Sequence, residues 1–354
     1  MELVFVIEES IGNLCFHTNL KVVLMAKNLG IGIVGLGNQG KLHLGNCLNC
    51  RGVTVQGVAD TSKSSLKYAH EAGIKNTYSN YEDLLKDRDV EAVIIGLPNF
   101  LHAESAIKAA EAGKHILLEK PIARNLAEGQ KIVDAARKNG VKLMMGYPLR
   151  FDPEMKNLRE QIRDGLFGEV EIAEAANISS GPFTPQGNSA GPTPVPDWWF
   201  NKELVGGGAL IDLGIHVINL LAWYFGDVES VSSFLGYKFK MDVEDLAVCC
   251  IHFKNGPLAM IKAGWFSKRQ VGEVHIYGTS NAASIVTFPK GRLNMITGDL
   301  KKNLGIHTQN PGLGELNSFV DCVVSDTTPS PSGEDGLLDI KIITLAYQNS
   351  KLLY

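Results

Sequence analysis

The sequence predicts an α/β protein, with a doubly wound parallel sheet in the first half and a second α/β unit built on a mainly antiparallel sheet. Three observations carry this. Apolar, β-branched runs alternate with helical stretches from Gly30 to Tyr147. A glycine-rich turn, "GLGNQG", joins the first run to the first helical stretch. Beyond Tyr147, strand-like runs follow one another without a helix between each pair.

In chain order, "GIGIVG", "VTVQGVAD", "VEAVIIGL", "KHILLEK" and "VKLMMGY" read as strands, and "HAESAIKAAEAG" and "LAEGQKIVDAARKNG" as helices. Strands separated by helices of that length form βαβ units and therefore a parallel sheet. The unbroken apolar character of "AVIIGL" agrees, because a parallel strand is covered on both faces. After "MMGYPLRFDP", the helix "MKNLREQIRDG" leads to "VEIAEAANIS" and then to a loop, "SGPFTPQGNSAGPTPVPDWWFNKELVGGG". Loops this long are usually functional or disordered. The adjacent Trp198 and Trp199 favour an ordered cover over a pocket, with packing beneath the loop as the simpler alternative. "VESVSSFLGYKFK", "EDLAVCCIHF", "GPLAMIKAGWF" and "GEVHIYG" read as strands joined by hairpins. Near the end, Ser332 and Asp335 stand at capping-box spacing before an apolar-faced helix, a structural feature.

A chain of 354 residues has length for two domains, divided here as 29–148 and 149–354. A net charge of −4 without a basic block argues against nucleic acid or an anionic membrane as partner. No uninterrupted apolar run approaches the ~20 residues that span a bilayer. Six cysteines in so long a chain indicate reduced thiols and a cytoplasmic setting. The opening "MELVFVIEESIGNLC" carries acids where a secretion signal has basic residues, so no export is expected. Residues 1–28 fit no strand–helix scheme. They read as an extension preceding the domain, arising from a start codon placed before Met25, or as a regulatory arm.

Gly35, Gly37 and Gly40 form G-x-G-x-x-G between an apolar strand and a helix, with Asn38 and Gln39 inside the turn. The three positions serve a tight turn, close backbone approach to a pyrophosphate, and close packing of helix on sheet. The phosphates would face the helix N-terminus. Asp60 ends the next strand, where an acid accepts from the adenosine ribose and repels a 2′-phosphate. This favours NAD over NADP, with Ser62 and Lys63 nearby softening the choice. "GLPNFLH" and "LEKPIA" sit at later strand ends, where ligands of open α/β sheets collect. Pro98, Asn99, His102, Glu119, Lys120 and Pro121 are therefore candidates for the reactive end of a cofactor. Cys47 and Cys50, with His43 one turn earlier, lack the second pair that a zinc site needs and read as helix packing. The adjacent Cys249 and Cys250 point to opposite faces of a strand.

"GGGALIDLGIHVINL", residues 206–220, is apolar apart from one polar line. On a helix over 209–221, Asp212, His216 and Asn219 occupy positions i, i+4 and i+7 of one stripe. Three explanations stand: a self-satisfied core network, a metal site, or a wall of the active-site cavity. A metal lacks a third and fourth ligand here, so none is expected. The cavity wall is favoured, because a first domain supplying Lys120 needs an acid/base on the opposing domain.

The motifs "GLGNQG", "VAD", "PNFLH", "EKP", "RFDP" and "GGGALIDLGIH", in this order, resemble the glucose–fructose oxidoreductase, inositol dehydrogenase and MocA family from about Gly30 onward. The resemblance implies an N-terminal Rossmann domain and a C-terminal α/β domain with a large, mainly antiparallel sheet. The open face of that sheet would pack against another subunit, giving a homodimer or homotetramer. It implies NAD(P)-dependent chemistry on sugars, cyclitols and their derivatives, with Lys120, Asp212 and His216 as the catalytic Lys, Asp and His. His216 is expected to accept the proton and Lys120 to hydrogen-bond the reacting oxygen, with the opposite assignment open. Tyr147, Arg150 and Trp198 are candidate substrate contacts beside Asp212 and His216. A non-catalytic dinucleotide-binding regulator of the same fold, or a dihydrodiol- or biliverdin-type reductase, are the alternatives.

Overall fold

The computed structural model describes residues 28–183, 195–254, 256–288, 292–297, 300–303 and 310–353, and outside these two short antiparallel strands, β1 (Leu3–Phe5) and β2 (Val22–Leu24). Most of the predicted extension, and residues 184–194 of the predicted loop, therefore lie outside the described residues.

The first sheet contains β3 (Leu29–Val34), β4 (Val53–Ala59), β5 (Thr77–Tyr78), β6 (Ala92–Ile95), β7 (His115–Glu119) and β8 (Leu143–Gly146). All neighbours are parallel and the order is β5-β4-β3-β6-β7-β8. The order reverses between β3 and β6, which opens a crevice beyond the carboxyl ends of those strands. Every residue of β3 and β6 is buried, as a strand covered on both faces requires. The covering helices are α1 (Asn38–Leu48), α2 (Lys63–Glu71), α3 (Tyr81–Leu85), α4 (Asn99–Glu111) and α5 (Leu126–Lys138). The short β5 lies within a stretch the sequence left unassigned.

Helix α6 (Pro153–Arg163), capped by the Asp152 side chain, leads to the second sheet. Its strands are β9 (Val170–Ile178), β10 (Val228–Gly236), β11 (Leu246–Phe253), β12 (Leu258–Gly264), β13 (Val271–Gly278), β14 (Ala282–Phe288), β15 (Arg292–Thr297), β16 (Leu300–Asn303) and β17 (Ser350–Leu352). The order is β16-β15-β14-β13-β9-β12-β11-β10-β17, antiparallel except for the β9–β12 and β10–β17 pairs. Between β9 and β10 run α7 (Lys202–Val205), a wide π turn (Leu210–Gly214) and α8 (Ile215–Phe225). Residues 202–225 are long and apolar enough to cross a membrane, although no single apolar run was, and most of this stretch is buried within the protein.

Helices α9 (Pro311–Val324) and α10 (Gly333–Gln348) close the chain. From α9, Leu316, Phe319 and Val320 join the core around Leu44, Cys47 and Ile33, on the first sheet. The capping box of Ser332 and Asp335 opens α10, as the spacing predicts. Ser332 also bridges to Met144 of β8, so the chain's end ties the two sheets together.

Candidate active site

A cavity of about 900 Å³ runs from the glycine turn to the π turn. Gly35, Gly37, Asn38 and Gln39 line one end, with Asp60, Thr61, Ser79 and Asn80 beside them. Gly35 has φ +88°, which an L side chain rarely adopts, and a side chain at Gly40 would overlap the Gly35 carbonyl. Gly40 is thus used for helix–strand packing and does not line the cavity. Helix α1 begins with neither a side-chain cap nor an acid in its first turn, so its positive end faces the cavity. Asp60 is held rigidly: Leu36 N donates to Oδ2 at 2.6 Å and Ser62 N to Oδ1 at 2.7 Å. This cradle suits a dinucleotide, with anion-binding backbone at one end and a fixed acid beyond it.

At the other end, Lys120 Nζ donates to the Asp212 carbonyl at 2.9 Å and to Oδ1 at 3.1 Å. Trp265 Nε1 donates to the remaining oxygen, Oδ2, at 3.1 Å. Behind Lys120, Glu119 Oε1 pairs with His43 Nε2 at 2.8 Å, and Oε2 accepts from the Lys120 amide at 3.2 Å. Burial works against a charge on Glu119, but the His43 hydrogen bond and the Lys120 charge outweigh it and hold its pKa below the usual value. His216 lines the same cavity. Burial first, then the neighbouring Lys120 charge, push its pKa down to about 3 against the pull of Asp212 and Glu119, so its ring is neutral at physiological pH.

The wide turn at 210–214 departs from the uniform helix that the stripe assumed. It still leaves Asp212 and His216 on the cavity, but Asn219 lies elsewhere. Asn219 is buried, accepts from Arg150 Nε at 2.7 Å and donates to Asp339 at 2.7 Å. The polar line therefore divides between two of the predicted explanations, cavity wall and core network.

Pro98, Asn99, Glu119, Lys120, Pro121 and Trp198 line the cavity, and Asn99 Nδ2 also donates to the Val205 carbonyl at 2.8 Å. Three expected contacts do not line it. His102 is fully buried, its ring nitrogens facing the Pro121 and Leu97 carbonyls at 2.7 and 2.8 Å, where it braces two cofactor-side loops. Tyr147 and Arg150 are also buried away from the cavity. Arg150 donates to Asn219 and Asp335 and lies over Trp223, and the Tyr147 hydroxyl faces Asp339. This is the junction-packing role, in place of substrate contact. Sequence reading missed Trp265, Ser179 and Gln270, which line the cavity from β9, β12 and their loops. None carries a local motif.

The thiols are structural. Cys47 is buried with its pKa pushed up to about 12, and Cys50 donates to Asn317 at 3.1 Å. No group of three potential metal ligands occurs among the described residues. Cys249 is buried and Cys250 exposed, on opposite faces of β11.

Two family models match this chain: an oxidoreductase family model with an NAD-binding Rossmann fold over residues 29–147, and a GFO/IDH/MocA C-terminal domain model over 155–284. The chain belongs to the glucose–fructose oxidoreductase, inositol dehydrogenase and MocA family. Its similarity to myo-inositol 2-dehydrogenase of Thermotoga maritima is 27% identity, covering 91% of this chain and 96% of that protein. To D-glucoside 3-dehydrogenase of Escherichia coli it is 24%, covering 94% and 98%. Levoglucosan dehydrogenase in complex with NADH and levoglucosan superposes with a TM-score of 0.80 at 23% identity, covering 91% of this chain and 97% of that one. The family is one of NAD-dependent sugar and cyclitol oxidoreductases, and as a member the chain is a dehydrogenase acting on CH–OH groups.

The low pKa of His216 has a stability consequence. Below its ordinary value of 6.5 the unfolded chain takes up this proton, and the folded protein does so only near 3. Acidification through that window therefore destabilises the fold. Thermal denaturation at pH 7 and pH 5 should show a larger loss of Tm in the wild type than in His216→Asn. Equal losses would mean that His216 does not remain neutral.

Proposed function

We propose that this family member oxidises a secondary alcohol of an uncharged sugar, cyclitol or sugar derivative to the ketone, using NAD in preference to NADP. The observation that supports it most is the meeting of Lys120, Asp212 and His216 on one cavity with the glycine turn. Bound NAD supplies the hydride acceptor, C4 of its nicotinamide. Two of the three Lys120 ammonium hydrogens are engaged by Asp212, which leaves one for the substrate oxygen, where it stabilises developing negative charge. The neutral His216 ring has no hydrogen-bond partner among the described residues and accepts the hydroxyl proton as the carbon–hydrogen bond breaks. Asp212, fixed on both oxygens, orients Lys120. Asp60 supports NAD, since a 2′-phosphate there meets a second negative charge.

The charge of the lining argues for an uncharged substrate. Among the described residues that line the cavity, Asp60, Glu119 and Asp212 are acidic, and Lys120 is the one Lys or Arg. Residues 184–194, "TPQGNSAGPTP", contain no charged residue. A buried phosphate or carboxylate needs a partner cation, and Lys120 is already paired. Trp198 and Trp199, with ring centroids 5.4 Å apart, offer apolar faces suited to a sugar ring. The relatives' names point to the same class: an inositol, a glucoside and levoglucosan.

His216→Asn is expected to lower kcat by about 10²–10⁴-fold, the usual contribution of a general base, while NADH still binds. A second reading is favoured by the low basicity of His216: Lys120 itself takes the proton, with Asp212 stabilising the resulting ammonium. In that case Lys120→Met shows the large loss and His216→Asn costs tenfold or less. Assays of NADH formation should find turnover with myo-inositol, methyl glucosides or levoglucosan and at least tenfold less kcat/KM with glucose 6-phosphate and glucuronate. Preferred turnover of the charged sugars would sink the substrate assignment.

We also propose a homodimer or homotetramer formed through the open face of the second sheet. Ile172, Leu258 and Tyr277 are cross-strand neighbours there, each more than 40% exposed, and Phe234 is similarly exposed on β10. Sedimentation should give an oligomer that Ile172→Glu with Leu258→Glu reduces to monomer. A monomeric wild type would refute this assembly.

A further inference from the structure

The turn that bears Asp212 and leads into α8 with His216 has no cap of its own: neither Ala209 nor Gly214 supplies a side-chain hydrogen bond. The need is met from β11's approach. Glu244, 1% exposed, accepts from Gly208 N through Oε2 at 2.9 Å and from Leu210 N through Oε1 at 3.0 Å. Tyr347 Oη donates to the same Oε1 at 2.9 Å. The Glu244 carbonyl accepts from Ala209 N at 2.9 Å, so three successive amides at the start of the turn end on one residue. The glycines make this possible. A side chain at Gly208 would overlap the Glu244 backbone, and one at Gly207 would overlap the Tyr347 hydroxyl.

The next residue holds the tryptophan that donates to the Asp212 carboxylate. Asp245, also 1% exposed, accepts from the Trp265 amide through its carbonyl at 2.9 Å, and its Oδ2 accepts from Phe239 N at 2.7 Å. Trp265 in turn donates its indole N–H to Asp212. Two adjacent residues, neither lining the cavity, thus fix both the backbone that carries Asp212 and the donor that sets its side-chain orientation.

We propose that Glu244 and Trp265 are the positioning residues of this reaction, with Glu244 setting the π turn and Trp265, its amide held by the Asp245 carbonyl, setting the side chain of Asp212 so that Asp212 presents Lys120 to the substrate oxygen. The inference rests on the reading that Lys120, Asp212 and His216 form the reacting centre. A misplaced turn leaves dinucleotide binding at the first sheet intact and removes the alignment of the reacting groups, a loss felt in kcat.

The test compares wild type, Glu244→Gln, Trp265→Phe, His216→Asn and Lys120→Met. Measurements are NADH affinity by fluorescence, kcat and KM with the best polyol from the panel above, and amide hydrogen exchange by mass spectrometry. Glu244→Gln turns an amide N–H₂ towards one of the two backbone N–H groups it must accept from. It should raise exchange in peptides spanning 206–222 at least tenfold and lower kcat at least thirtyfold, with NADH affinity within threefold and exchange in β3–β8 unchanged. Trp265→Phe keeps the packing and loses the donor. It should lower kcat about tenfold with exchange at 206–214 unchanged.

Faster exchange in Glu244→Gln with kcat within threefold of wild type would overturn the proposal, as would a kcat loss without faster exchange. If Glu244→Gln fails to fold, Trp265→Phe decides, and an unchanged kcat overturns it. Retained turnover in both His216→Asn and Lys120→Met would mark failure of the underlying reading instead.

Discussion

The contact on which the site depends is the ion pair between Lys120, at the end of β7, and Asp212, in the turn before α8. The two come from different sheets, and their side chains are only 14% and 23% exposed. A charge so placed is costly without a partner, and removing either member leaves the other stranded. Each is also braced from behind, Lys120 through the Glu119–His43 pair and Asp212 through Trp265. The Asp212 carbonyl, which lies within the π turn, adds a second acceptor for the same ammonium. The bracing fixes how far apart the reacting groups of the two halves stand. Cofactor cradle and substrate wall then share one cavity because this contact holds them together.

How much of this the sequence disclosed follows from what each feature depends on. The parallel sheet, the glycine turn and Asp60 were legible because the demands are local: a strand, a turn that tolerates φ +88° at Gly35, and an acid one strand later. The strands β10 to β13 were legible and β10–β11 and β11–β12 pair as hairpins, but the expected hairpin of β12 and β13 does not form, because β9 lies between them and pairs with both. The strands β14 to β17 and helix α9 went unread. Helix α9 in particular buries its apolar residues against the first sheet, far back in the chain. Asp212 and His216 were legible because ionisable groups inside an apolar run call for explanation, and Lys120 because it stands between Glu and Pro at a strand end of the parallel sheet. Trp265, Glu244 and Asp245 were not, because their importance lies in partners tens to hundreds of residues away. The π turn has no sequence periodicity of its own.

The residues that sequence placed in the site and the structure places elsewhere have a common reason. Asn219 shares its polar line with His216, His102 sits in a strand-end motif, and Tyr147 and Arg150 stand where the chain leaves the parallel-sheet half; all are polar residues in or beside apolar segments. Burial of a polar group demands a hydrogen-bond partner, and a core network answers that demand as well as a substrate does. Arg150 illustrates it. Its guanidinium reaches Asn219 on α8 and Asp335 on α10 and stacks on Trp223, so it joins three elements of the interior. Polar residues in a buried segment identify a place where partners exist; only their side of the element decides whether the partner is protein or ligand.

The sign of the charges separates the two kinds of site. Asp339, Glu244 and Glu315 are buried acids whose pKa values rise, burial being the first cause in each case, with Asp339 pushed up to about 7. Glu119 is shifted down although burial opposes it, because His43 hydrogen-bonds it and the Lys120 charge stands beside it. At the cavity, then, Glu119 is kept ionised, while His216 is kept neutral by burial and by Lys120 against the pull of Asp212 and Glu119. A second cation would face the same opposition, so the site supports one, and Asp212 decides that it is Lys120. On the proposed mechanism an oxidised nicotinamide would add positive charge of its own, against which a neutral imidazole and a paired ammonium are the arrangement of least repulsion. The acids around Lys120 would thereby do more than orient it: they would allow a cationic cofactor ring and a cationic lysine to occupy one enclosed space.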